Sequence, residues 1–423
     1  MIIKKILRPF YHNLQYLYQR YFAENLYRFH QKKALKRLRN KKRYKCVFFA
    51  LMDSVWKCDS VYQQMLNDPR FEPIILICPV VNYGHENMVH TMDKCSLFFK
   101  EKGYDFILAF NKESGEYIDV KKELSPDLIF YTNPYSGLID DRYYIDKFKD
   151  ILTCYIPYFY ASGNSEMFYN LPFHHYVWRY YCENEFLKTE FEKKLGRKLK
   201  NVVPTGYCVF DEFEKKKNKS NSNKVKKIIW APHHMIEANS DIVLRNGFLQ
   251  FHDLFFHLAD KYVGKVEFVY RPHPVLKNKL YNHPDWGKKK TDEYYAKWET
   301  YPCCSINERG DYISAFYETD AIIHDCGSFI TEYLYVNKPA LFTDKTIFKS
   351  SQYWGTAVEA IECYYRAECD QEIEEFIDNV VLGNNDKLEY KRAEYCNKYL
   401  YFNRLICNNI IENITISIDQ GIV

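Results

Sequence analysis

Three short polar clusters each close an apolar run, and their residue types suit the handling of anions. His233-His234 follows Ile228-Ile229-Trp230-Ala231-Pro232, and Arg271-Pro272-His273-Pro274 follows Val266-Glu267-Phe268-Val269-Tyr270. His324-Asp325-Cys326-Gly327-Ser328 follows Ala321-Ile322-Ile323. An arginine presents a planar fork that matches phosphate oxygens, and the prolines fix a turn from which Arg271 and His273 can project to one side. Histidine titrates near neutrality, so His234, His233 and, further off, His175 are candidate bases for activating a hydroxyl. Gly327 permits close backbone approach or a positive φ. Ser328 is placed to cap the helix-like pattern of Phe329, Ile330, Tyr333 and Leu334, whose free N–H groups would face a phosphate. Asp325 and Glu332 add carboxylates on either side. The pattern reads as the phosphate or pyrophosphate cradle of a nucleotide-linked donor. No Asp-x-Asp and no clustered His/Cys ligand spacing occurs, so neither a metal nor another cofactor is expected.

The clusters need strands and helices to hold them. Apolar runs at Cys46–Leu51, Pro73–Pro79, Phe106–Ala109 and Asp127–Tyr131 alternate with helical patterns. That rhythm predicts a parallel, doubly wound sheet, and ligands of such sheets bind beyond the carboxyl ends of the strands. Asn201–Tyr207 reads as the last strand and turn of a first domain over residues 45–212. Glu214–Lys227 (EKKKNKSNSNKVKK) has no apolar face and predicts a linker, placed at 213–227. A second α/β domain follows over 228–386, then a C-terminal helix over 387–423. Asn133-Pro134-Tyr135, Ile156-Pro157-Tyr158 and His174-His175 are loop-like and are candidates to line a cleft.

Composition narrows the class. At 423 residues, with 47% apolar and 27% charged residues, the chain has room for two soluble domains. It has no apolar run of about 18 residues, so no membrane span is expected, and no signal-peptide pattern. Fourteen cysteines without a C-x-x-C read as buried thiols of a reducing compartment, and the cytoplasm is expected. Net charge is +4, but residues 1–45 hold fourteen Lys/Arg and one acid, leaving 45 bases against 54 acids elsewhere. Only this end is basic, and no nucleic-acid module is recognisable, so no nucleic acid partner is expected. Over residues 1–44, Ile3, Ile6, Phe10, Leu14, Leu17, Tyr21 and Leu26 keep near-helical spacing among basic residues. A basic amphipathic helix of this kind fits an anionic membrane surface.

The second half resembles the CDP-glycerol glycerophosphotransferase family of teichoic-acid type polymerases and primases, as a divergent member. Arg271-Pro272-His273-Pro274 is similar to the family's Arg-x-His-Pro strand end. Asp325-Cys326-Gly327-Ser328 with Glu332 is similar to its Asp-Tyr-Ser-Ser turn and following acid, and Lys338-Pro339 also fits. The resemblance covers roughly residues 225–345. It implies a GT-B-like α/β fold, with two Rossmann-like domains of parallel sheet facing a cleft. It also implies a CDP-activated donor and a membrane-linked acceptor in surface-polymer synthesis, on the inner face of a bacterial membrane. His273 and Ser328 would then bind the diphosphate, Arg271 would neutralise the leaving nucleotide, and Glu332 would hold ribose hydroxyls. Two positions depart from the pattern. Gly327 replaces the first Ser of the turn, and the first-domain His-Gly-Thr loop is absent, its nearest equivalent being Tyr155-Ile156-Pro157-Tyr158. A GT-B glycosyltransferase using a nucleotide sugar, and a non-catalytic nucleotide-binding scaffold, are the alternatives.

Overall fold

The structure is a computed structural model that describes residues 22–82, 84–217, 225–236, 247–308, 311–343, 353–401 and 404–423. Residues 1–21, the first part of the expected amphipathic helix, and 218–224 of the expected linker lie outside the described residues.

Two compact units divide the chain. The N-terminal unit takes residues 1–159, 165–211 and 402–423; the C-terminal unit takes 160–164 and 212–401. Each is a doubly wound α/β unit built on an all-parallel sheet, so the expected fold class holds. In the first, β1 (Tyr44–Ala50), β2 (Phe71–Ile77), β3 (Phe106–Leu108), β4 (Leu128–Tyr131), β5 (Leu152–Tyr155), β6 (Arg179–Cys182) and β7 (Val202–Pro204) stand in the order β3-β2-β1-β4-β5-β6-β7. In the second, β8 (Lys226–Ala231), β9 (Val266–Tyr270), β10 (Cys304–Ile306), β11 (Ala321–His324), β12 (Ala340–Phe342) and β13 (Tyr365–Arg366) stand in the order β10-β9-β8-β11-β12-β13. Helices cover both faces of such sheets, which explains why the strands read as continuous apolar runs rather than as alternation.

The boundaries differ from the sequence reading at three places. Of the expected linker at 213–227, the start belongs to helix Val209–Lys216 with Phe213 buried, and Lys226 and Lys227 open β8. Tyr160–Asn164 belongs to the C-terminal unit, where Trp354 N–H donates to the Ser162 carbonyl. The tail read as one helix is two: Glu389–Tyr399 stays in the C-terminal unit, and Ile406–Gln420 belongs to the N-terminal one. That last helix starts on the Asp211 carboxylate, which accepts the Ile406 and Cys407 N–H groups at 2.7 and 2.8 Å. Those amides lack partners within the helix, and a carboxylate also suits the positive end of its dipole.

Helix Glu24–Leu38 is packed, not detached. Tyr27, Gln31, Ala34, Leu35 and Leu38 are buried, and Arg28 and Gln31 donate to the Val177, His175 and Tyr176 carbonyls. Its outer face carries Lys32, Lys33 and Lys36 beside exposed Phe22 and Phe29. Among the described residues no helix is long and apolar enough to cross a membrane.

Aromatic residues form the core under the C-terminal sheet. Trp230 of β8 stacks on Phe255 at 4.2 Å between centroids, and Tyr270 of β9 on Trp298 at 4.8 Å. Large flat side chains of this kind bury much area and have few rotamers, so the last residues of β8 and β9 are held firmly. The polar clusters follow, directly after Tyr270 and after Ala231-Pro232 beyond Trp230.

Candidate active site

The strand order brings the three clusters together. β9, β8 and β11 are neighbours, with Trp230 opposite Tyr270 and Ala231 opposite His324. β8 and β11 flank the point where the strand order reverses, the usual ligand crevice of a doubly wound sheet. Pairing runs on past β9, since Arg271 N–H donates to the Trp230 carbonyl at 2.8 Å and His273 N–H to that of Pro232 at 3.2 Å. Alternate residues make these bonds, so Pro272 and Pro274 fall where no N–H toward β8 is needed.

Beyond these ends, His233, His234 and His273 form one group. Ring centroids lie 4.2 Å apart for His233 and His234, 4.3 Å for His234 and His273, and 5.2 Å for His233 and His273. The Nδ1 of His273 accepts the Val275 N–H at 3.2 Å. In the neutral ring the proton therefore sits on Nε2, which makes His273 a donor. Burial, with His234 and Lys279 nearby, pushes its pKa down to about 3, so the ring is neutral at physiological pH. The neutral ring can therefore donate one hydrogen bond, from Nε2.

Arg271 is held from the next strand. Its Nη1 donates to the carbonyl and side-chain oxygens of Asn307, at 3.3 and 2.8 Å, and its guanidinium lies 5.9 Å from the Tyr312 ring centroid. Asn307 in turn continues β10, its N–H donating to the Tyr270 carbonyl. Burial lowers the Arg271 pKa to about 10, which still leaves it cationic at neutral pH. A preset guanidinium needs little reorganisation when an anion arrives.

The turn after β11 departs from its sequence reading. Asp325 is 1% exposed; its carboxylate accepts His233 N–H at 2.6 Å and Gly247 N–H at 3.2 Å. It positions the loop after β8 instead of facing a ligand. A Cβ on Gly247 would sit 2.8 Å from Asp325 Oδ2, so that close approach needs glycine. Glu332 is also buried, and after burial itself its charge is what most raises the Tyr312 hydroxyl, so a ribose-facing carboxylate is not what this geometry offers. Ser328 has helical φ and ψ and makes no side-chain cap bond; only one α turn, Phe329–Glu332, precedes a 3-10 turn. Both Gly327 and Ser328 are half-buried, between Cys326 and that turn. Lys338 binds the Phe316, Tyr317 and Thr319 carbonyls, at 3.1, 2.6 and 2.6 Å, which ties the helix before β11 to the loop after it.

Candidates in the N-terminal unit are occupied elsewhere. His175 Nδ1 faces Arg197 Nη2 at 2.9 Å, which fixes it as acceptor and leaves Nε2–H for Asn170 Oδ1 at 3.1 Å. No lone pair remains on that ring for a base, which removes it from the candidates. Burial raises the Tyr155 and Tyr158 hydroxyls well above their ordinary range, so neither would ionise near neutrality. Sequence reasoning missed Asn307, Tyr312 and Gly247. Nothing in their spacing marks them, because each acts through strand order or through Asp325.

No protein-family model and no curated protein matches the sequence. Solved structures do match. A putative UDP-N-acetylglucosamine 2-epimerase from Listeria monocytogenes is 12% identical, with a TM-score of 0.58 over 89% of this chain and 97% of that one. A variant of the wall teichoic acid polymerase TagF is 11% identical, with a TM-score of 0.58 over 92% and 94%. The Neisseria meningitidis UDP-GlcNAc 2-epimerase bound to UDP-GlcNAc is 15% identical, with a TM-score of 0.53 over 88% and 99%. The fold is that of these two-domain, GT-B-type enzymes. Both kinds match this chain equally well.

Proposed function

We propose that the chain is a transferase that moves glycerol phosphate, or a related polyol phosphate, from a CDP-activated donor to a membrane-linked acceptor in surface-polymer synthesis. The observation that carries this reading is the cluster of His233, His234 and His273 beyond the ends of the neighbouring strands β8 and β9, with Arg271 at the end of β9. A cation held by neutral partners and an imidazole N–H suit the oxygens of a diphosphate. In the reaction, an acceptor hydroxyl oxygen bonds to the donor's polyol-bearing phosphorus while the bond from that phosphorus to CMP breaks. His234 takes the hydroxyl proton, with His233 its alternate, and Arg271 with His273 Nε2–H balances the charge on departing CMP. Gly327 and Ser328, after the neighbouring strand β11, would face the diphosphate. Asp325 holds the His233 loop.

The basic N-terminus supports placement on the inner face of a bacterial membrane. Lys32, Lys33 and Lys36 with exposed Phe22 and Phe29 give residues 1–44 both a cationic and an aromatic contribution to an anionic surface. Glycosyl transfer from a nucleotide sugar is the second reading, favoured by the equal match to UDP-sugar epimerases. The occupied candidates of the N-terminal unit favour a third, a nucleotide-binding scaffold without turnover.

A thermal-shift panel separates them, using CDP-glycerol, CDP-ribitol, UDP-, GDP- and CMP-sugars on the wild type and His273→Ala. Stabilisation by CDP ligands alone, lost in His273→Ala, is expected. A preference for nucleotide sugars would move the reading to glycosyl transfer, and no shift with any nucleotide would refute the donor site.

A further inference from the structure

We propose that His233, His234 and His273 form a binding site for one divalent transition-metal ion such as Zn²⁺ or Co²⁺, with the remaining coordination position open to water or an anionic oxygen. One ring nitrogen of each lies within 4.8 Å of one on both others, and all three residues are half-buried. At a metal–nitrogen distance of about 2.0–2.1 Å, tetrahedral ligand atoms stand roughly 3.4 Å apart. Side-chain shifts of little more than an ångström therefore close the cage. Imidazole is a good ligand for such ions, and three protein ligands with one open position is the arrangement of catalytic rather than structural sites. The backbone supports it on one side, since Asp325 pins the His233 amide and Pro232 receives the His273 amide.

The tautomer of His273 makes the proposal specific. Its Nδ1 lone pair is engaged by Val275 N–H. If the metal takes Nδ1, it displaces that amide; if it takes Nε2, the ring proton moves to Nδ1 and the amide loses its acceptor. Either way the Val275 amide is released. A metal on Nε2 takes the nitrogen that donates in the unloaded ring, whereas a metal on Nδ1 leaves Nε2–H in place, so only the first makes the loaded and unloaded crevices different anion sites. Only the anionic fourth ligand rests on the diphosphate reading; the three-imidazole cage does not.

Cysteines can also take Zn²⁺ or Co²⁺, and Cys303, Cys304 and Cys369 are the cysteines not buried. The test therefore uses full-length protein carrying Cys303→Ser, Cys304→Ser and Cys369→Ser. Co²⁺ titration followed by its visible spectrum, with calorimetry for Zn²⁺, should give one ion per chain. His233→Ala, His234→Ala and His273→Gln should each weaken binding by more than the about 10- to 100-fold typical of losing an outer-shell partner. Amide exchange at Val275 should accelerate on loading, and the melting temperature of each unloaded variant shows that it has folded. No binding, or binding unchanged by the histidine substitutions, would overturn the site. The thermal-shift panel repeated in EDTA keeps the two readings apart: nucleotide stabilisation without any metal binding would refute this site and leave the donor reading standing.

Discussion

The two sheets share one strand order through six strands, yet their carboxyl ends differ. In the C-terminal unit the ends of β8 and β9 present His233, His234, Arg271 and His273, set by neutral partners such as Asn307, Val275 and Pro232. In the N-terminal unit, β4, β5 and β6 end in Thr132-Asn133, Ile156-Pro157 and Glu183-Asn184. There the histidine in the loop before β6 is tied to Arg197 and Asn170. A common topology thus carries clustered histidines and an arginine beyond its strand ends in one sheet, and a histidine tied into internal bonds in the other. The lesson is that topology supplies a crevice, and the partners of each side chain decide whether it can act.

Acid should produce the largest effect, and it should draw on both regions. Burial lowers His174 in the N-terminal unit and His273 in the C-terminal unit to about 3. The unfolded chain takes up these protons near pH 6.5, while the folded chain refuses them until about pH 3. Their contribution is complete above pH 6.5 and falls as pH drops through that window, each site adding a slope approaching about 1.4 kcal/mol per pH unit. Denaturant unfolding between pH 7 and 4.5 should show this loss, and His174→Gln or His273→Gln should each flatten it. An unchanged slope in either variant would mean that ring is not held neutral.

Removing the cation sharpens the comparison next. Arg271→Ala should weaken CDP or UDP binding about 10- to 150-fold, since hydrogen bonds to charged groups contribute about 1.5–3 kcal/mol. Arg271→Lys should recover part of that, because lysine keeps the charge but not the fork. His175→Ala, which loses bonds to Arg197 and Asn170, should lower the melting temperature and leave nucleotide affinity within about twofold. Calorimetry that ranked His175 with Arg271 would erase the distinction between the units.

Much of this was legible because parallel strands covered on both faces read as short apolar runs, so β8, β9 and β11 and the clusters that close them stand out in the sequence. Strand order did not, since it depends on crossovers that leave no local mark. Asn307 is therefore invisible as the partner of Arg271 until β10 is seen beside β9. Residue type misled at Asp325 and Glu332, where a carboxylate near a glycine-serine turn suggests a ligand, whereas both are buried and Asp325 is bonded internally. The high aromatic content, uninformative as composition, is the stacking that fixes the ends of β8 and β9.

Gly247→Ala tests that internal bonding. The new methyl would meet Asp325 Oδ2 at 2.8 Å and Thr343 Oγ1 at 3.1 Å. Overpacking of this kind costs about 1–3 kcal/mol. Because Asp325 also holds the His233 amide, nucleotide affinity should fall along with stability. Lost stability with unchanged affinity would show that the His233 loop is set by something other than Asp325.

The smallest effect is expected at the matching carboxylate of the N-terminal unit. Asp211 takes the Ile406 and Cys407 amides, so it starts helix Ile406–Gln420 as Asp325 pins the loop after β8. Asp211→Ala should cost about 0.5–2 kcal/mol, the range for losing a helix cap, and Asp211→Asn less, since one oxygen acceptor remains. Amide exchange should quicken over the first turn of that helix. Nucleotide affinity should not move, because no donor-site residue contacts Asp211 among the described bonds. A carboxylate that fastens a loop beside His233 and one that fastens a helix are the same interaction. If Asp211→Ala abolished nucleotide binding, location would not be what distinguishes them, and the division of labour between the sheets would fail.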